Sequence, residues 1–155
     1  MAGNEQVTEI ASAVESTAEA LVGVLDAARL AQEPAIPPAQ LRVLTIVAAN
    51  RHTNMSRLAE ALDVVPSSAS RLCDRLEATG LLRRVPDPRD RREVRLFLTA
   101  AARRVLDDLH TRRRDALEVV LERMTPSARE ELVRALRAFR AATGEDQAVG
   151  GLRTA

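Results

Sequence analysis

The chain has no Trp, no Tyr and only two Phe in 155 residues, and every one of its 23 basic side chains is Arg. Without large rings, a core must be filled by Leu, Val, Ile and Ala, which suits closely packed helices. The single cysteine, Cys73, excludes an intramolecular disulfide. Histidine is almost as scarce, at His52 and His110, too few for a metal site in one chain; carboxylates bridging a dimer are the residual route. No apolar run approaches the ~20 residues needed to span a bilayer, and the opening residues lack the pattern of a secretory signal. A cytoplasmic protein without membrane contact and without a cofactor is expected.

The near-neutral total of +1 gives by itself no reason to expect a polyanionic partner. Its distribution does. Residues 1–40 hold six acids and one Arg, residues 41–95 eleven Arg and seven acids, and residues 96–155 eleven Arg and nine acids. The middle of the chain is the segment suited to a polyanion.

Apolar side chains at Val7, Ile10, Val14, Ala18, Leu21, Val22, Leu25 and Ala28 recur in steps of three and four, predicting a long helix over 7–30 with an acidic far face. Pro34, Pro37 and Pro38 end it. A second helix is expected over 39–49. Asn54 is placed to cap a short helix to Leu62, and Pro66 to open another that stops near Thr79 and Gly80. The period then shortens to that of a strand, 81–85 and 94–98 flanking a tip rich in Pro and Asp. Thr99 is placed to cap a long helix to about Met124, and Thr125 with Pro126 to begin a last one to about Thr143. Residues 144–155, with three Gly and no apolar period, read as a flexible tail.

The order predicts a mainly α fold with a small β-hairpin wing: a winged helix-turn-helix over 37–98, and a helical dimerisation lobe from 1–36 and 99–143. The apolar stripes of the first and last helices are too broad for a small central domain to hide, which points to helix packing between two copies of the chain.

With Ala69, Leu72, Cys73 and Leu76 inward, the second helix of the pair presents Ser67, Ser68, Ser70, Arg71, Asp74 and Arg75 outward. Small hydroxyls let a backbone approach a groove, and Arg makes forked contacts with guanine or phosphate. Residues 83–95 carry six Arg against three acids, among them Arg89, Asp90, Arg91 and Arg92. An Arg on a narrow projection can enter the minor groove, where negative potential is focused, and Asp90 is placed to orient Arg92.

From Ile36 to about Leu98 the chain resembles the MarR family of bacterial transcriptional regulators. The resemblance is carried by Pro38-Ala39-Gln40-Leu41-Arg42-Val43-Leu44, by Leu58-Ala59-Glu60-Ala61-Leu62, by Arg71 through Leu81, and above all by Asp87-Pro88-Arg89-Asp90-Arg91-Arg92 ahead of Leu98-Thr99. It implies a homodimer whose first and last helices interlock and which binds a pseudo-palindromic double-stranded DNA operator, mostly as a repressor. By position, Ser67, Ser68, Ser70 and Arg71 would face the major groove, Arg92 the minor groove, and Asn54 and Ser56 phosphates. In many members a small molecule releases the DNA, and the resemblance allows such an effector here; without Trp or Tyr to stack on or bond a phenol, these residues leave open an apolar ligand, a partner or no ligand at all. The chain departs from the family pattern at Val65, where a hydroxyl cap is common, at Asp63, where Gly is usual, and at Pro37 in place of Thr.

Other readings stand beside these. Arg75 could pair with a carboxylate of its own domain. Cys73, on the buried stripe, reads as a small core residue rather than a redox switch, since burial raises a thiol pKa and limits access. Arg112-Arg113-Arg114 reads as a solvated helix face. A winged helix kept for protein interaction would leave the Arg-rich wing idle. No Ser-His-Asp spacing, Gly-rich phosphate loop or metal motif supports an enzyme.

Overall fold

The structure, a computed structural model, describes residues 2–31, 35–50, 52–90 and 93–144. The elements run α1 (Ala2–Leu30), α2 (Pro38–Ala49), β1 (Thr53–Asn54), α3 (Met55–Leu62), α4 (Pro66–Ala78), β2 (Leu82–Pro86), β3 (Val94–Leu98), α5 (Ala100–Leu121) and α6 (Pro126–Ala142). The expected mainly helical winged fold is the one observed. Residues 145–155, where a flexible tail was expected, lie outside the described residues.

Local chemistry explains the boundaries. Asn54 caps α3, its side-chain oxygen accepting from the Arg57 N–H at 2.9 Å. Thr99 accepts from the Ala102 N–H at 3.1 Å at the start of α5, while its own hydroxyl donates to the Gly80 carbonyl at 2.7 Å. Thr125 caps α6 by accepting from the Ala128 N–H at 3.3 Å. The stop of α4 is a paired closure. The Gly80 N–H donates to the Glu77 carbonyl at 3.0 Å and the Leu81 N–H to the Leu76 carbonyl at 2.8 Å, with Gly80 at φ +70°. That left-handed backbone is why glycine stands there.

Two compact units emerge, one from Met1–Ala35 with Leu109–Met124, the other from Ile36–Asp108 with Thr125–Ala155. In the first, Ala28 and Leu109 are buried, whereas Val7, Ile10, Val14, Leu21 and Val22 on α1 and Val119 and Val120 on α5 are exposed. In the second, Val43 and Leu44 of α2, Leu58 of α3, and Ala69, Cys73 and Leu76 of α4 are fully buried together with Ala102 of α5. These side chains are the aliphatic core that the scarcity of rings required.

The sheet is antiparallel in the order β1-β3-β2. β1 was not expected: its two residues are polar and too few to show a period. They become a strand only by pairing with β3, Thr53 opposite Leu96 and Asn54 opposite Arg95. On β2, Leu82 lies opposite Leu98 and Arg84 opposite Leu96. Opposed residues share a face, so Thr53, Leu96 and Arg84 form one row across the sheet, on the side where Leu82 and Leu96 are buried.

Candidate nucleic-acid interface

The turn between α3 and α4 is closed by a residue that glycine would ordinarily occupy. Asp63 sits at φ 55°, ψ 48°, its N–H donating to the Glu60 carbonyl at 3.0 Å, while the Val64 N–H donates to that of Ala59 at 3.0 Å. Aspartate tolerates this left-handed region better than most side chains, which explains how the turn survives without glycine. At the start of α4, Val65 offers no side-chain cap; the helix opens on Pro66, with the Ser68 N–H donating to the Val65 carbonyl at 2.9 Å.

The two sides of α4 divide as expected. Ala69, Cys73 and Leu76 are fully buried, and Leu72 is half-buried. Ser67, Arg71, Asp74 and Arg75 are exposed, and Ser68 and Ser70 are half-buried. Arg71 lies back along its own helix, its Nε donating to the Ser67 carbonyl at 3.4 Å. Among the described residues Arg75 makes no ion pair, so the pairing within its own domain that the sequence left open is not formed. Burial pushes the Cys73 thiol up to about 11; Arg84 opposes the rise, and Asp74 and Glu77 add to it. A thiol this buried and protonated is a core group.

Asn54 and Ser56 stand at the start of α3. Ser56 is exposed, but both ends of the Asn54 amide are engaged, since its Nδ2 donates to Glu93 Oε2 at 3.0 Å while its oxygen caps the helix. Asn54 thus links α3 to the wing.

The base of the wing is held by Asp87. Its Oδ2 accepts from Arg95 Nε at 2.5 Å and its Oδ1 from the Arg89 N–H at 2.7 Å. The Asp87 N–H donates to the Glu93 carbonyl, and the Glu93 N–H to the Asp90 carbonyl, both at 2.9 Å. The bond from Arg95 and the Arg89 amide hold the Asp87 carboxyl below the ordinary carboxylate range. Arg89 and Asp90 are exposed, whereas Arg91 and Arg92, and with them the Asp90–Arg92 pairing, lie outside the described residues.

Two of the six wing arginines thus bind within the protein. Arg95 clamps Asp87, and Arg84 folds back onto α4. The sequence counted both as outward charge. It could not separate them from Arg83 and Arg89, which are exposed, because nothing in the spacing marks which guanidinium meets an internal carboxylate. Among the described residues, no three His, Cys, Asp or Glu side chains converge as a metal site would require, and no helix is long and apolar enough to cross a membrane.

A sequence profile of the MarR family matches residues 36–93, which span the helix pair and the wing to the end of its tip. The chain belongs to the MarR family. The HTH-type transcriptional repressor MdtR of Bacillus subtilis (strain 168) is 35% identical over 68 residues, 44% of each chain, so the match covers less than half of that relative. The likeness extends over more of the chain in solved structures. The RV1404 protein of Mycobacterium tuberculosis is 34% identical, with a TM-score of 0.79 over 89% of this chain and 94% of that one. The transcriptional regulator Tm0710 of Thermotoga maritima is 25% identical, with a TM-score of 0.72 over 85% and 94%. Within this MarR-family chain the profile covers Asp63, Asp87 and Arg84, so the left-handed turn, the wing clamp and the arginine folded onto α4 all belong to the matched region.

Proposed function

We propose that the protein is a homodimeric, sequence-specific DNA-binding repressor of transcription that recognises an imperfect inverted repeat. The observation that carries this reading is the two-sidedness of α4: one side buries Ala69, Cys73 and Leu76, while the other offers Ser67, Arg71 and Arg75 to solvent in the segment with the largest positive balance. Two such helices, related by a dimer axis, enter successive major grooves about one helical turn apart, and the wings reach outward into minor grooves through Arg92. Asp90 orients Arg92, and Ser56 and Ser68 lie against the backbone. Repression follows where the site overlaps a promoter, because the bound dimer excludes polymerase. The name of MdtR supports the repressor reading.

The exposed stripe on α1 supports the dimer. Val7, Ile10, Val14, Leu21 and Val22 face water in the single chain, as do Val133, Leu136 and Phe139 of α6. An exposed apolar stripe of this kind along a helix marks an interface. A second copy of the chain is the occupant that closed symmetry supplies.

Titrating duplex DNA over a salt series tests the reading. If the dimer neutralises ~6–10 phosphates, log affinity falls against log salt with a slope near −0.9 per phosphate. Arg92→Ala is expected to weaken binding ~10-fold or more, the worth of one good groove contact. A flat salt response, or no change on removing Arg92, would instead favour a winged helix used for protein interaction.

A further inference from the structure

Arg84 stands at the centre of β2, opposite Leu96. Its guanidinium crosses to α4, where Nη1 meets Asp74 Oδ1 at 2.6 Å and Glu77 Oε2 at 2.9 Å. Nη2 donates to the Ser70 carbonyl at 3.2 Å and lies 3.4 Å from the Ser70 hydroxyl. The Arg84 backbone N–H adds a bond to Glu77 Oε1 at 3.3 Å. Positions 70, 74 and 77 are successive turns of one helix face, so a single residue of the wing grips α4 along two turns.

Stability alone is a poor explanation for this arrangement. The Arg84 side chain is 23% exposed, but its partners Asp74 and Glu77 are 57% and 41% exposed, and ion pairs so wetted contribute little to folding. Geometry is what a planar fork supplies and a point charge does not. Reading DNA with a helix and a wing together demands that both arrive in register, and recognition groups must be held to within ~0.5 Å. Arg84 joins the two elements at the residue, Ser70, where α4 passes from its buried to its exposed side.

We propose that Arg84 is a positioning residue for DNA recognition, locking α4 and the wing into one rigid reading head so that both grooves are engaged at once. This rests on the DNA-binding reading above. It differs from the role first given to the wing arginines, because Arg84 touches no DNA and acts through Ser70, Asp74 and Glu77.

The test compares affinity for an inverted-repeat site with affinity for random-sequence duplex in the full-length protein, alongside the melting temperature. Arg84→Met is expected to lower the ratio of specific to random affinity ~10-fold or more, a loss comparable to that from one mismatched base pair, with random-duplex binding little changed. Arg84→Lys, which keeps the charge without the fork, restores part of the ratio. Asp74→Asn with Glu77→Gln produces the same loss, and adding Arg84→Met to that pair changes little further, as expected of residues acting as one unit. An equal loss on both duplexes would make Arg84 a phosphate contact, and a lower melting temperature with an unchanged ratio would make it only structural; either overturns the proposal.

A wild-type protein that binds neither duplex would remove the DNA-binding reading without deciding the lock. The free protein decides that separately, using spin labels on Ser67→Cys and Arg89→Cys, with Cys73 left in place because its thiol is buried. A narrow distance distribution that broadens with Arg84→Met supports the lock. A distribution unchanged by Arg84→Met overturns it.

Discussion

Aspartate at both Ile10 and Val14 is expected to split the dimer and to weaken binding to an inverted repeat by ~10²–10⁴-fold, the advantage lost when two linked binding events become independent. The two side chains lie one turn apart on α1 and are 55% and 45% exposed in the single chain. A charge there costs the isolated chain little. Across a symmetric interface it is repeated by the partner and meets apolar surface, where an unpaired carboxylate is expensive to bury. Sedimentation should therefore show single chains, while circular dichroism keeps its helical signal and affinity for an isolated half-site is preserved. A dimer that survives both aspartates would place the interface elsewhere.

The second large effect is on stability. Leu76 is fully buried on α4, and truncation by Leu76→Ala is expected to cost about 3–4 kcal/mol, combining the lost transfer energy with the cavity left behind. For a chain of this length, that lowers the melting temperature by on the order of 10 °C. Arg75, the preceding residue, points to solvent, and Arg75→Ala should alter stability by no more than about 0.5 kcal/mol while weakening DNA binding. Urea unfolding of the two variants separates the buried side of α4 from the exposed one. Equal destabilisation by both would contradict the orientation on which the interface depends.

The parts of the fold that rest on local chemistry were legible in the sequence. The stripe of α1, the Asn54 and Thr125 caps, Pro66 at the start of α4 and Gly80 after its end each follow from a spacing or from a residue with one strong conformational use, and each stands where it was expected. β1 was not legible, because Thr53 and Asn54 are strand only through partners more than forty residues away, Leu96 and Arg95.

The candidate site shows the same division. The outward face of α4 could be read from helical periodicity, and Asp63 could be noticed as a departure from glycine. That aspartate could itself hold the left-handed turn needed the backbone angles. The wing was read as a run of outward charge, but Arg84 and Arg95 are turned inward by carboxylates whose proximity comes from the fold of the hairpin against α4 and upon itself. Composition counts charges; it does not say which of them remain for a partner.

The central claim is tested most directly by selection from a pool of random duplexes with the full-length protein, followed by sequencing of the retained DNA. Enrichment of an imperfect inverted repeat with half-site centres ~10–10.5 base pairs apart, or a multiple of that, is the expected result, since two recognition helices on one dimer face fix the spacing. Recovery of the input pool without enrichment would contradict it.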